Sequence, residues 1–388
     1  MNRKFYGYKR ADGSVGIRNH VLVMPAVLCV DTPARKIAAK TGAKYISNPI
    51  GCGQNPKDTA VMLDVLSGLI ANANVFGIVI VGLGCEFLTE DTFRQAIRAK
   101  CDKPVRYVCM QRLGGYTKTI EEGIRLATEL QAEAAKMQRI EADFSDLILG
   151  LECGGSDPTS GFSANTVLGV VTDGVIDSGG SAILSETVEA IGAEHILRDR
   201  GRTKEIGDSI YRAVIDWERS RFSESGRSVR EGNPSPGNLA GGISTLSEKS
   251  LGCIHKAGSR PFDGCCEYGK WIREKGLYFL NAPSFDVLNV TALAAAGAQL
   301  VAFTTGLGNP IGNPVAPVVK ITGNADTAKN LFEIIDIDTS ASIRGEKTVG
   351  QCAKEMADFF ADVCSGKECK AECNGSDEMC LNQCYSFE

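Results

Sequence analysis

Histidine is scarce in this chain. His20, His195 and His255 are the only three among 388 residues, which argues against a three-histidine metal site. No run reaches the ~18 apolar residues that a membrane span needs. The N-terminus, MNRKFYGYKRADG, has no apolar core of the kind a signal peptide carries. Positive charge is not in excess either: the formal net charge is −5, which argues against a nucleic-acid-binding surface. No Cys-x-x-Cys pair occurs, GLGCEF lacks the GK[ST] ending of a phosphate loop, and no GxGxxG opens a helix. No short repeat recurs at a fixed period. What these absences leave is a cytoplasmic, enzyme-sized protein, with two domains as the prior for this length.

What is present is cysteine, 15 of them, in two sets. Cys52 (IGCGQN), Cys85 (GLGCE) and Cys153 (LECGGSD) each sit in a glycine-containing loop, and Cys364, Cys369, Cys373, Cys380 and Cys384 crowd the C-terminus. In a reducing compartment, clustered thiols are more often metal ligands or catalytic groups than disulfides. Strand and helix signals alternate around the first set. HVLVMPAVLCV (20–30), AKYIS (43–47), FGIVIVGL (76–83) and PVRYVCM (104–110) read as strands, with helices near 33–41, 56–72 and 89–100 between them. A long polar helix over about 117–141 carries the chain away, and LILGLECGGSD (147–157) restarts the pattern. Further strands are expected at 181–187, 277–283 and 298–308, helices at 163–180, 203–225 and 348–363, and a Gly/Pro/Asn-rich loop at 226–242. The fold class is α/β: a Rossmann-like parallel-sheet lobe over 1–140, a second α/β lobe over 141–363, and a Cys-rich tail over 364–388. In such sheets function gathers at the carboxyl ends of the strands.

Several candidates lie at those ends. Three thiolates from three loops could hold iron, as one Fe2+ ion or as a [4Fe-4S] cluster with one iron open to substrate. Glu86, Glu152, Asp157 and Glu186 all follow apolar strands, where a carboxylate can serve as metal ligand, general base or helix cap. His195 is a further acid–base candidate. Arg18, Asn19, Lys249 and Lys320 lie near strand ends or Gly/Pro-rich loops and can clamp an anion. Asn238 in the 226–242 loop and Thr304-Thr305 at the end of a strand complete a substrate-binding set. The tail, with 4, 3, 6 and 3 residues between its cysteines, reads as a second metal site, a disulfide-bonded end or a disordered one.

As a set, GYKRADGSVGIRNHVLVMP, IGCG, VGLGCE, LGLECGGSD, SANTVLG, AILSET, GAEH, EKSLG and FTTGLGNPIG resemble the altronate/galactarate dehydratase family, in order from residue 6 to about 345. The resemblance implies an iron-dependent lyase that removes water from a small 2-hydroxy sugar acid to give a 2-keto acid, with a sister branch, sulfolactate sulfo-lyase, that expels sulfite. It also implies a small β-rich domain or partner subunit, and an oligomer of identical chains is expected. Two positions depart from the sugar-acid pattern: Asn48 stands where histidine is expected in THGxGCG, and NAN (72–74) replaces HPN. Both look more like the sulfo-lyase branch. Loss of the tail is expected to leave lyase activity intact.

Overall fold

The computed structural model describes residues 1–283 and 285–381. Fourteen strands are present among them. In chain order they are β1 (Lys4–Lys9), β2 (Val15–Gly16), β3 (His20–Pro25), β4 (Lys44–Tyr45), β5 (Val75–Gly82), β6 (Val105–Cys109), β7 (Ile140–Asp143), β8 (Ile148–Cys153), β9 (Ser181–Leu184), β10 (Phe262–Glu267), β11 (Leu277–Asn281), β12 (Leu300–Thr304), β13 (Val318–Thr322) and β14 (Ile337–Asp338).

The first lobe is built on a four-stranded parallel sheet in the order β4-β3-β5-β6. The second is built on a seven-stranded parallel sheet in the order β10-β11-β9-β8-β12-β13-β14. Buried runs such as Val75–Gly82 and Ile148–Cys153 suit strands covered on both faces. β8 is followed by β9 on one side, whereas β12 lies on its other side and leads to β13. The crevice beyond the carboxyl ends of β8 and β12 is therefore a topological switch point, the place where open parallel sheets bind small molecules.

Helix Pro56–Ala71 of the first lobe packs on helix Asp286–Ala296 of the second. One apolar core runs through both sheets, from Leu22, Ile78 and Ile80 to Val290, Val301 and Phe303. The contact is close. A side chain on Gly68 would meet the Ala295 carbonyl oxygen at 2.3 Å. Asn72 donates to the Ala294 and Ala298 carbonyls, both at 2.8 Å, and Asn74 donates to those of Gln299 and Val315. The NAN segment is thus a bracket between the lobes, with the Asn72 amide committed to main chain.

The structure differs from the sequence reading at three places. The long helix ends at Ala134, and β7 then pairs antiparallel with β1, closing a three-stranded sheet with β2. The 226–242 loop contains two short helices, Val229–Gly232 and Pro236–Ala240. The described part of the tail does not stand apart: Cys364 and Cys369 have no exposed surface, and Arg18 grips Glu372 with a bidentate pair at 2.8 and 2.7 Å. The same guanidinium donates to the carbonyls of Ile17, Val363 and Lys367. Cys384 lies outside the described residues. No described helix is long and apolar enough to cross a membrane.

Candidate active site

Two groups of side chains adjoin at the end of β8. Cys153, Glu189 and Cys253 form one, and Glu152, Glu186 and Asp286 the other; within each group one donor atom per residue lies within 4.8 Å of the others. The first is densely bonded. Glu189 lies in the single turn Thr187–Ala190 after β9 and is 1% exposed. Its Oε2 accepts the thiol hydrogens of Cys153 and of Cys253, the latter at 2.8 Å, and its Oε1 pairs with the Lys249 ammonium at 2.5 Å. Lys256, fully buried, donates to Cys153 Sγ at 2.8 Å and Cys253 Sγ at 2.9 Å and stands 3.6 Å from Glu189. Burial alone would raise the Glu189 carboxyl, but Lys249 and Lys256 outweigh it and hold the group at about 2. Burial would lower Lys256; the two thiols and Glu189 push it well above its ordinary value instead.

The second group is the reverse. Glu152 is fully buried on β8, and neither of its carboxylate oxygens has a hydrogen-bond partner. Burial and the neighbouring Glu186 charge push its carboxyl well above the usual range. Burial, with Glu189 next, raises Glu186 to about 8, and Asp286 is raised by the same two causes. Glu186 is the one non-glycine among the described residues with positive φ, at 72°. Its neighbours hold it there. Ser185 Oγ bonds Asn289 Oδ1 at 2.7 Å, and Thr187 Oγ1 bonds Asn281 Oδ1 at 2.8 Å. A non-glycine residue in this conformation costs roughly 1–3 kcal/mol and clusters at functional sites. Asp286 opens helix Asp286–Ala296 and accepts from Asn309 at 2.6 Å. It reaches β8 because residue 154 is glycine: a Cβ there would meet Asp286 Oδ2 at 2.1 Å.

A cavity of about 520 Å³ opens beside the first group, with Lys249, Cys253, Asn165 and Asp157 in its wall. One side is a turn of π-helix, Ser160–Ala164, leading into helix Asn165–Asp177; such turns are frequent at functional sites.

Of the residues singled out from sequence, Glu152, Cys153, Glu186 and Lys249 meet here. Thr304 and Thr305, fully buried, hold the loops: Thr304 Oγ1 bonds Asn165 Oδ1 and Thr305 Oγ1 accepts from Gly308. Asn238 is buried in its short helix, and the next glycine along the chain, Gly241, lies against Asp157. Asp157 is occupied as a cap, accepting from Thr159, Ser160 and Asn324. Others stand elsewhere. Arg18 is committed to the tail, and Asn19 bonds Arg10 and the Ala134 carbonyl. Lys320 is buried against the Phe303 ring, with its ammonium on the Ile311 carbonyl, and burial lowers it to about 7. His195 is exposed on helix Glu194–Asp199. Glu86 takes hydrogen bonds from Gly84 and Tyr107 in a separate cavity of about 490 Å³ at the end of β5 and β6. Cys85 is exposed and Cys52 half-buried beside the four-stranded sheet, and no three described cysteines lie within 4.8 Å of one another. Asn48 is buried with its amide on the Ala26 carbonyl.

Sequence reasoning missed Glu189, Cys253, Lys256 and Asp286. A signal for two of these was available: in SEKSLGCIHK, Cys253 and Lys256 follow the singled-out Lys249 by four and then three residues, on one face of a helix.

Buried acids, thiols and ammonium groups at the carboxyl ends of a parallel sheet, beside a cavity of metabolite size, make this an α/β enzyme acting on small molecules. Comparison with known proteins narrows the class. Residues 7–135 match the family described as D-galactarate dehydratase/Altronate hydrolase, second domain, and residues 144–386 match D-galactarate/Altronate dehydratase, C-terminal. An altronate dehydratase of Bacillus subtilis is 36% identical over 98% of this chain and 78% of its own length. The (2R)-sulfolactate sulfo-lyase subunit beta of Chromohalobacter salexigens is 32% identical over 99% of this chain and 98% of its own length. A galactarate dehydratase of Escherichia coli is 29% identical over 94% of this chain. The chain belongs to the altronate/galactarate dehydratase family and is a lyase.

Proposed function

We propose that this chain removes water from a small 2-hydroxy sugar acid to give a 2-keto acid, using a divalent iron held by carboxylates. One observation carries the metal assignment: Glu152 is buried with both carboxylate oxygens unpartnered, among Glu186 and Asp286. Four carboxylates, Glu152, Glu186, Glu189 and Asp286, face only two ammonium groups, Lys249 and Lys256, across these two groups. A divalent cation supplies the missing charge, and a set of carboxylate oxygens without thiolates suits a single divalent ion better than an iron–sulfur cluster, which thiolates hold. Cys153 is the sequence-expected ligand nearest this place, but Lys256 already lies against its sulfur, where a cation would otherwise be needed.

In this reading Glu152 and Asp286 would hold the ion, which when bound supplies Lewis-acid stabilisation of the charge that develops on substrate oxygens. Lys249, in the cavity wall, receives the substrate carboxylate. Glu186, pinned on both sides, takes the C2 proton on its carboxylate; base catalysis of this kind is typically worth ~10²–10⁴-fold. The leaving group departs from C3, and the enol ketonises. Glu189 keeps Lys249 charged and placed, and the Glu186 carboxylate adds to the same effect. Release of sulfite from 3-sulfolactate is the second reading. It is favoured by the alignment with the sulfo-lyase subunit, which spans nearly the whole of both chains, and it brings a partner subunit with it.

The test is metal content and turnover after anaerobic purification with Fe2+, with altronate, galactarate and 3-sulfolactate as substrates and with Glu152→Gln alongside. About one iron per chain, lost in the variant together with a hundredfold or more of turnover, is expected. Full iron content in Glu152→Gln would move the metal elsewhere, and no turnover on any of the three acids would overturn the lyase substrate class.

A further inference from the structure

Cys153 and Cys253 come from segments 100 residues apart, yet their sulfurs lie 3.5 Å from each other. A disulfide has an S–S length of about 2.05 Å, so about 1.5 Å of side-chain motion would join them. Lys256 bridges the pair, with its ammonium 2.8 and 2.9 Å from the two sulfurs, and so holds both of them in place. The pair is buried, but Cys253 lines the cavity of about 520 Å³ and is reachable by a small oxidant. Thiol pairs of this kind in reducing compartments are characteristically transient and redox-sensing rather than structural.

We propose that Cys153 and Cys253 are a reversible oxidation site, and that a peroxide entering the cavity converts them to a disulfide and switches the lyase off. In the first step the Cys253 sulfur attacks a peroxide oxygen. The S–O bond forms, the O–O bond breaks, and the departing hydroxide leaves as water with the proton that Cys253 gives up. In the second step the Cys153 sulfur attacks the sulfenic sulfur. The S–S bond forms, the S–O bond breaks, and a second water leaves with the Cys153 proton. Two thiols are oxidised by two electrons and one peroxide is reduced to two waters. The disulfide removes both S–H donors from Glu189, the carboxylate that holds Lys249 at the cavity wall. The loss of activity rests on the lyase reading above; the oxidation itself does not.

The experiment is graded hydrogen peroxide on the intact, reduced protein, followed by thiol blocking, digestion and mass spectrometry. Turnover is assayed in parallel, before and after dithiothreitol. The expected result is a linked Cys153–Cys253 peptide that appears with loss of turnover and disappears on reduction as turnover returns. Lys256→Met is expected to slow formation of the link, and Cys253→Ser to abolish it while leaving the other thiols titratable. The proposal is overturned if Cys153 and Cys253 stay reduced while exposed thiols such as Cys29 and Cys85 oxidise, or if Cys153 overoxidises without pairing. A linked peptide in a protein that turns over none of the tested acids would sink the lyase reading and leave the oxidation site standing.

Discussion

At the scale of the residue, two glutamates three positions apart live in opposite surroundings. Glu189 is surrounded by two ammonium groups and two thiols and is held low, whereas burial and neighbouring carboxylates raise Glu152 and Glu186. The strain at Glu186 can be separated from its chemistry. Glu186→Gly relaxes the left-handed backbone while Glu186→Gln retains it, so the glycine variant should be the more stable of the two by about 1 kcal/mol in denaturant titration, with both inactive. A second residue-scale prediction concerns His20. Burial first, then the charges of Lys44, Arg18 and Arg10 against the opposing Glu372, lower its imidazole to about 3. The unfolded chain, with an ordinary histidine near ~6.5, takes up the proton first. Stability from this residue is therefore complete above about pH 6.5 and is lost progressively as the pH falls toward 3. Thermal melting across that window should flatten in His20→Gln. At this scale the sequence disclosed acids and thiols that follow an apolar strand, Glu152 and Cys153 above all. It hid Asp286 and Glu189, which arrive on a helix start and a one-turn loop with no apolar run to point at them.

At the scale of the element, strand and helix alternation was legible in FGIVIVGL and LILGLECGG because strands covered on both faces are continuously apolar. β7, IEAD, carries two acids in four residues and is a strand only because β1 lies beside it, 139 positions earlier at the Lys4–Asp143 pair, the length of the whole first lobe away. No local pattern encodes that. The Asn72 position shows the same limit from another side: read as a lost imidazole, it is instead the amide that joins two helix ends across the lobe contact. Asn72→Ala leaves two buried carbonyls without donors and should cost about 2 kcal/mol or more in urea unfolding, with metal content unchanged. A variant of wild-type stability would remove the bracket from the account.

At the scale of the whole molecule, the shared core and the tail make the two lobes one body. Cys364, Cys369, Ala371 and Leu381 are buried, and Glu372 neutralises Arg18. A chain ended after Val363 loses the buried surface of Cys364, Cys369, Ala371 and Leu381 together with the Arg18–Glu372 pair. The expected outcome is a markedly lower melting temperature, and any loss of turnover in the truncated chain should follow its loss of folded protein. The tail was illegible because its cysteines suggested ligands, whereas Cys364 and Cys369 act as small apolar fillers.

The Arg18–Glu372 pair also has a meaning in time. The two residues are 354 positions apart. During synthesis the first lobe's strands leave the ribosome early, and domains generally fold as they emerge, at about 5–20 residues per second. Arg18 must then wait for 354 further residues to be read before its partner exists. The nascent first lobe carries an unanswered charge until Glu372 is made and the uncovered face of helix Pro56–Ala71 until helix Asp286–Ala296 is made, so residues made late let ones made early settle.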